Sequence, residues 1–230
     1  MCGQEVIIAP EYTERIIENR VRQGFQRIYV GENIQRYAFS GCKYIKLGVE
    51  GIDYKHSDLF LSPKLLVRKT GLGINACIDY DDTYISQTVY LCRSLGASEV
   101  ELEYYMGVLN SRVLYYYYLK RYGENEWKSH PYLTKEILFS LPIPKVHYGN
   151  KKLCKEVACI SAQLQTVYSR IMDVKLEQLI ARLYGLNNDE LMMITKTLNQ
   201  LPDLGAINHM KILDDELQIE GVYQQICLDT

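Results

Sequence analysis

The sequence has no run of about 18 consecutive apolar residues, so no membrane-spanning helix is expected. Residues 1–10 lack the basic start and the long apolar stretch of a secretory signal. The seven cysteines include no Cys-x-x-Cys pair, whereas zinc sites and disulfide frameworks need such close, paired spacings. These absences favour a cytoplasmic protein with free thiols and no metal site.

Signatures of common catalytic centres are also missing. Gly71-Leu72-Gly73-Ile74-Asn75-Ala76 fits the dinucleotide-binding pattern, but strand and turn residues follow where that fingerprint needs a helix. The acidic run 79–82 has Tyr84 and Tyr90 where a calcium loop needs Gly and Glu. No Gly-x-Ser-x-Gly elbow or phosphate-binding loop is present. We therefore expect no catalytic centre and no cofactor in this chain.

Tyrosine is present in excess, with 20 Tyr against 4 Phe and 1 Trp. Because tyrosine joins an apolar ring to a polar tip, the excess favours a surface that meets a polar partner, although core packing also accounts for it. The net charge of −2 conceals two basic blocks: residues 15–69 hold 11 Lys/Arg against 5 Asp/Glu, and residues 111–152 hold 8 against 3. If the two basic blocks share one face of the protein, they would form a positive surface suited to a phosphate backbone. An equal alternative is that these charges are scattered at random over the solvated surface.

The hydrophobic pattern predicts an α+β fold. After a predicted helix over 12–22, short segments with alternating or β-branched residues predict strands, including a hairpin over 65–78. From residue 99 the spacing is helical, and apolar residues of 153–174 recur by threes and fours as in a packed helical seam. Asn187 and Glu190 predict a capping box. We predict a mixed or antiparallel β-rich domain over 1–148 and a helical region over 149–230.

Four motifs follow one another in a characteristic order: residues 31–37 (GENIQRY), residues 63–71 (PKLLVRKTG), Leu109-Asn110-Ser111 and Leu141-Pro142-Ile143-Pro144. In order and spacing they resemble the TaqI-like C-terminal specificity domain, the target-recognition part of type II adenine methyltransferases and of fused restriction-methylase enzymes. Residues 176–190 resemble the helical tail of the fused enzymes, so that the resemblance spans about residues 25–198.

The resemblance implies a domain that reads double-stranded DNA through its grooves and delivers a flipped adenine to a methyltransferase domain. The Asn-Pro-Pro-Tyr-type motif of the family's catalytic half is missing, since the sequence has no Pro-Pro dipeptide. S-adenosylmethionine is therefore expected only on a partner or on a catalytic domain outside this sequence. Residues 153–184 are the predicted docking region for a methyltransferase or restriction subunit. Three interpretations of the chain stay open: it is a separate specificity subunit, part of a split enzyme, or a gene remnant.

Arginine and lysine suit phosphates, arginine also suits guanine edges, and asparagine and glutamine suit adenine. For each residue a structural role is an equal alternative; Arg68 and Lys69, for example, face opposite sides of a strand, so at most one faces DNA. The predicted backbone contacts are Lys64, Arg68, Lys69, Thr70, Ser111 and Lys128. The predicted base or near-base contacts are Arg36, Tyr37, Asn75, Gln87, Asn110 and Arg112.

Three functions are thus kept open. The first is sequence-specific recognition of double-stranded DNA in a bacterial restriction-modification system, without catalysis by this chain. The second is a protein-interaction subunit or gene remnant that docks a methyltransferase or nuclease without binding DNA. The third, an enzyme with an unrecognised active site, has the least support.

Overall fold

The computed structural model describes residues 16–50, 52, 54–93, 102–123, 132–201, 209–213 and 216–218. Strands occupy its N-terminal part and helices its C-terminal part, which confirms the predicted α+β class. The strands are β1 (Ile17–Glu18), β2 (Phe25–Tyr29), β3 (Ile34–Gln35), β4 (Ala38–Phe39), β5 (Lys43–Lys46), β6 (Lys64–Arg68), β7 (Ala76–Asp79), β8 (Tyr84–Ile85) and β9 (Val89–Cys92).

The strands form three sheets. A mixed four-stranded sheet has the order β1-β5-β2-β8, with β8 parallel to β2 and the other pairs antiparallel. β3 and β4 form a hairpin, and an antiparallel three-stranded sheet has the order β7-β6-β9. The pairing of β6 with β7 confirms the hairpin predicted over 65–78. The helix predicted over 12–22 is wrong at Ile17–Glu18, where the chain pairs with β5; residues 12–15 lie outside the described part.

The three-stranded sheet separates two hydrophobic cores. Along β6, Leu66 packs toward the four-stranded sheet, whereas Leu65 and Val67 pack toward the helices. Because successive side chains of a strand point to opposite faces, a strand covered on both sides reads as a continuous apolar run. β6 is therefore the central element of the fold, and the residue that follows it, Lys69, is buried as well.

The helices cover the other face of this sheet. Their core extends from Tyr37 to Leu217, so residues on both sides of position 148 share it; the predicted division into two regions stays a prediction.

Asn187 and Glu190 form the predicted capping box. Within the described residues, no helix has both the length and the apolar character needed to cross a bilayer. The helices are α1 (Leu102–Leu109), α2 (Arg112–Tyr118), α3 (Lys135–Ser140), α4 (Lys151–Thr166), α5 (Arg170–Leu183) and α6 (Asn188–Asn199), with a π-helical turn at Leu119–Gly123.

α1 and α4 approach closely because Gly107 of α1 has no side chain. A Cβ at this position would lie 2.1 Å from Ser161 Oγ and 3.1 Å from Val157 Cγ1. The Ser161 hydroxyl is buried and donates to the Val157 carbonyl at 2.7 Å, so it cannot move away without losing that hydrogen bond. The glycine thus sets the distance between the two helices.

We expect Gly107→Ala to lower the free energy of unfolding by about 1–3 kcal/mol, because overpacking outweighs the higher helix propensity of alanine. In a Ser161→Ala background the same change should cost less, since the nearest atom is gone. Urea unfolding of the two single variants and the double variant measures this. Equal costs of Gly107→Ala in both backgrounds would contradict the proposed contact.

Candidate nucleic-acid interface

Four charged side chains form a network inside the protein. The guanidinium groups of Arg36 and Arg112 both bind the Asp173 carboxylate, with Nη–Oδ2 distances of 2.8 Å each. Glu177 Oε1 accepts hydrogen bonds from the Arg112 guanidinium at 2.9 Å and from the Arg112 backbone N–H at 2.8 Å. All four side chains are buried, with at most 1% exposure. Two positive and two negative charges balance, so the network carries no net charge.

The two carboxylates of this network titrate in opposite directions. Burial alone would raise the pKa of Asp173, but the charges of Arg36 and Arg112 outweigh it and hold that pKa well below its ordinary value. At Glu177 burial is the stronger effect, and the pKa is raised. Glu177 Oε2 also has no hydrogen-bond partner among the described residues. Of the two carboxylates, Asp173 is therefore the one whose negative charge the arginines stabilise more strongly.

The neighbours of the arginines also have structural contacts. The Asn110 side chain bonds both the N–H and the carbonyl of Ala76, at 2.9 and 2.8 Å, as a neighbouring strand would. The Ser111 hydroxyl accepts a hydrogen bond from Leu114 N and caps α2. Tyr37 is buried at a positive φ of 58°. In this structure five predicted contact residues are thus turned into the protein: Arg36, Tyr37, Asn110, Ser111 and Arg112.

Three further predicted residues are buried as well. Lys64 pairs with Asp79 at 2.7 Å and donates to the Phe60 carbonyl, and burial lowers its pKa against the opposing effect of Asp79. The Lys69 ammonium lies 4.4 Å from the centroid of the Tyr90 ring. The third residue, Asn75, is also buried. The burial of all three side chains favours a structural role, and DNA contact by any of them stays a prediction.

Three predicted residues remain at the surface at one end of the three-stranded sheet. Arg68 is half-buried, no carboxylate of the described residues forms a salt bridge with it, and its Nε has no hydrogen-bond partner there. Its guanidinium covers Gly71, where a Cβ would lie 2.8 Å from Nη2 and φ is +105°. Partial burial lowers the pKa of Arg68, opposed by the Glu32 carboxylate. Thr70 and Gln87 lie beside this strand end, both partly exposed.

The loop before β3 packs against the same sheet end. Gly31 N donates to Thr88 Oγ1 at 2.7 Å, and Lys69 N donates to the Thr88 carbonyl at 3.1 Å. Within this motif the predicted contact residue Arg36 is buried, whereas Glu32 is exposed and Gln35 is partly exposed. The buried Arg36 side chain anchors the loop, and Glu32 and Gln35 before it reach the solvent.

The two basic blocks of the sequence meet at this point. Leu133 N donates to the Lys69 carbonyl at 2.7 Å, and Thr70 forms an isolated bridge with Tyr132. α3 follows directly, and the Tyr122 hydroxyl of the π-helical turn bonds Ser140 Oγ at 2.8 Å. Lys128 lies outside the described residues. Three exposed cations of this region were missed by the sequence analysis: Lys120, Arg121 and Lys135.

The predicted docking seam is used within the chain. Val157, Ile160 and Leu164 of α4 are buried in the shared core, where α4 packs on α1. Val167 and Ile171, at the turn into α5, are exposed.

Among the described residues, no three His, Cys, Asp or Glu side chains form a group that could hold a metal ion.

Comparison with known proteins identifies the family. The sequence model of the TaqI-like C-terminal specificity domain matches residues 26–143, about half of the chain. The chain belongs to this family. Arg36 and Arg112 lie within the matched TaqI-like specificity domain, whereas Asp173 and Glu177 lie beyond it. The charge network therefore joins the specificity domain to the helices that follow.

Among solved structures, the type IIL restriction-modification enzyme MmeI in complex with DNA is similar to the chain, with a TM-score of 0.49 and 12% sequence identity. The match covers 84% of this chain and 33% of the MmeI chain, so the present chain spans about a third of the length of that enzyme. No curated protein matches the chain.

We expect Asp173→Asn to lower the free energy of unfolding by about 3–5 kcal/mol, because two buried guanidinium groups lose their anion. A carboxylate with a depressed pKa stabilises the fold above its unfolded pKa, near 4, and loses this effect as pH falls toward the folded pKa. Wild-type stability should thus decline below about pH 4 more steeply than that of the variant. Denaturant unfolding across pH measures both quantities.

Glu177→Gln is the matched control, since glutamine keeps an acceptor for Arg112. The fold also stabilises the negative charge of Glu177 less than that of Asp173, because the pKa of Glu177 is raised. It should cost less than Asp173→Asn. An equal or larger cost, or parallel pH profiles for the wild type and Asp173→Asn, would contradict the roles given to the two carboxylates.

Proposed function

We propose that this chain recognises double-stranded DNA for a restriction-modification system and has no catalytic activity of its own. Membership of a specificity-domain family supports the recognition role. The observation that carries the proposal is Arg68, an arginine at the end of the central strand with no salt bridge to a described carboxylate. A surface cation that no salt bridge occupies is suited to a phosphate oxygen or to a guanine edge.

The surroundings of Arg68 have the chemistry that such a contact needs. The hydroxyl of Thr70 suits a phosphate, and the amide of Gln87 can pair with adenine. β6 is covered on both faces, and the Arg68 guanidinium rests on Gly71, so the donors are held on a rigid element. A rigid donor loses less conformational entropy on binding.

Methyl transfer or cleavage is proposed to belong to a separate domain or subunit, which would also hold the S-adenosylmethionine. The alternative, a subunit that only docks a catalytic protein, has less support. Most of the helical seam that would form its interface is buried against α1. Lys64, Lys69 and Arg112 are likewise proposed to stabilise the fold rather than to touch DNA.

We expect Arg68→Ala to weaken binding to the preferred duplex by about 1–3 kcal/mol, roughly 5- to 150-fold, because a charged donor at the recognition surface is lost. The duplex would first be selected from a randomised pool with the full chain. Binding to that duplex and to a scrambled duplex is then measured by fluorescence anisotropy at 50 and 200 mM salt.

Arg27→Ala is the matched control. It removes the same charge from an exposed side chain that already pairs with Asp81 at 3.0 Å, so its effect should be roughly threefold or less. If both variants bind the selected duplex equally well, Arg68 is not a contact. If the full chain binds neither duplex at low salt, the proposed function itself is wrong.

A further inference from the structure

A basic and aromatic surface extends from the sheet end toward the helices. It consists of Lys120 and Arg121 in the π-helical turn and Lys135 in α3, together with the aromatic rings that lie beside these cations. All three cations are exposed, and none forms a salt bridge with a described carboxylate. The neighbouring rings are Tyr116, Tyr122 and Phe139.

Each cation lies over an aromatic ring of its own segment. Lys120 Nζ is 5.8 Å from the centroid of the Tyr116 ring, and Arg121 Cζ is 5.6 Å from that of Tyr122. Lys135 Nζ is 5.8 Å from the centroid of Phe139. A ring attracts a cation without neutralising it. These contacts therefore restrain long side chains while their charge stays available to an anionic partner.

The backbone fixes this surface beside Arg68. The bridge between Thr70 and Tyr132 joins the strand end to the segment that enters α3. Tyr122 in turn ties the π-helical turn to Ser140 at the end of α3. The segments 116–123 and 132–140 contain three cations and a single acidic residue, Glu136. These two described segments thus carry a positive charge in a chain whose net charge is negative.

We propose that Lys120, Arg121 and Lys135 grip the phosphate backbone of the duplex beside the bases contacted from the Arg68 end, without reading sequence. This inference rests on the proposed function and adds a second, separate contact surface to it. Charge complementarity selects the occupant, because a duplex is a dense line of negative charge and the described residues of this surface include no compensating acidic cluster. Contacts to phosphate set affinity and position, whereas contacts to base edges set specificity.

The test compares the full-length chain with the triple variant K120Q/R121Q/K135Q on the selected and the scrambled duplex, at 50–300 mM salt. Each phosphate contact contributes about 0.9 to the slope of log K against log salt, so the slope should fall by about 2–3. At 100 mM salt both duplexes should lose affinity by the same factor, roughly tenfold. Arg68→Ala, in contrast, should mainly reduce the ratio between the two duplexes.

The matched control is K46Q/R182Q/K211Q, which removes three exposed cations scattered over other surfaces. It should leave the slope within about 0.5 of the wild type, since the bulk charge alone makes no phosphate contact. The variant K120R/R121K/K135R keeps the charge and should keep the slope. Thermal unfolding of all three variants should match that of the wild type.

An unchanged slope for K120Q/R121Q/K135Q, while the wild type binds DNA, overturns the inference and leaves the proposed function intact; the surface would then fit an acidic protein partner. A fall in slope equal to that of the scattered control also overturns it. Failure of the wild type to bind either duplex overturns the proposed function together with the inference.

Discussion

The fold depends on one buried interaction, the binding of two arginines by the Asp173 carboxylate. Removing four charged groups from water is costly, and the cost is recovered only when opposite charges and hydrogen bonds are all in place. Arg36 comes from the β3–β4 hairpin, Arg112 from the start of α2, and Asp173 from α5. Three distant segments are therefore fixed to one another, and the family-matched domain reaches its charge balance only with a helix that lies beyond it.

This network also decides which polar residues of the recognition region face the solvent. Arg36 is turned inward, whereas Glu32 and Gln35 of the same loop reach the solvent, and Gly31 packs on Thr88 at the end of the central sheet. Asn110 holds the edge strand through the backbone of Ala76. The residues closest to the sheet end are thus rigid, and the burial of their neighbours restricts the polar surface to a few side chains around Arg68.

Local pattern predicted the elements but not the partners of their charged residues. The seam in α4, the β6–β7 hairpin and the capping box at Asn187 follow from periodicity and from residue type, which a sequence displays directly. Arg36 finds its partner 137 positions away, and nothing in the local pattern marks that pair. The partner of Lys64 was easier to predict, because the register of the β6–β7 hairpin places Lys64 opposite Asp79. At Ile17–Glu18, pairing with β5 overrides the helical pattern.

The burial of charge changes how the basic blocks of the sequence should be interpreted. In the first block Arg36, Lys64 and Lys69 are buried, so the charges of these three residues are unavailable to a surface partner. Arg68 of this block does reach the surface at the sheet end, and the second block adds exposed cations there through the contact of Leu133 with Lys69. A charge count along a sequence treats buried and exposed lysines alike, although only exposed charge attracts a distant polyanion. Attraction of the duplex would then depend on the exposed cations of the second block, and recognition of its sequence on the residues around Arg68. Either set of residues can change without disturbing the buried arginines that support both segments.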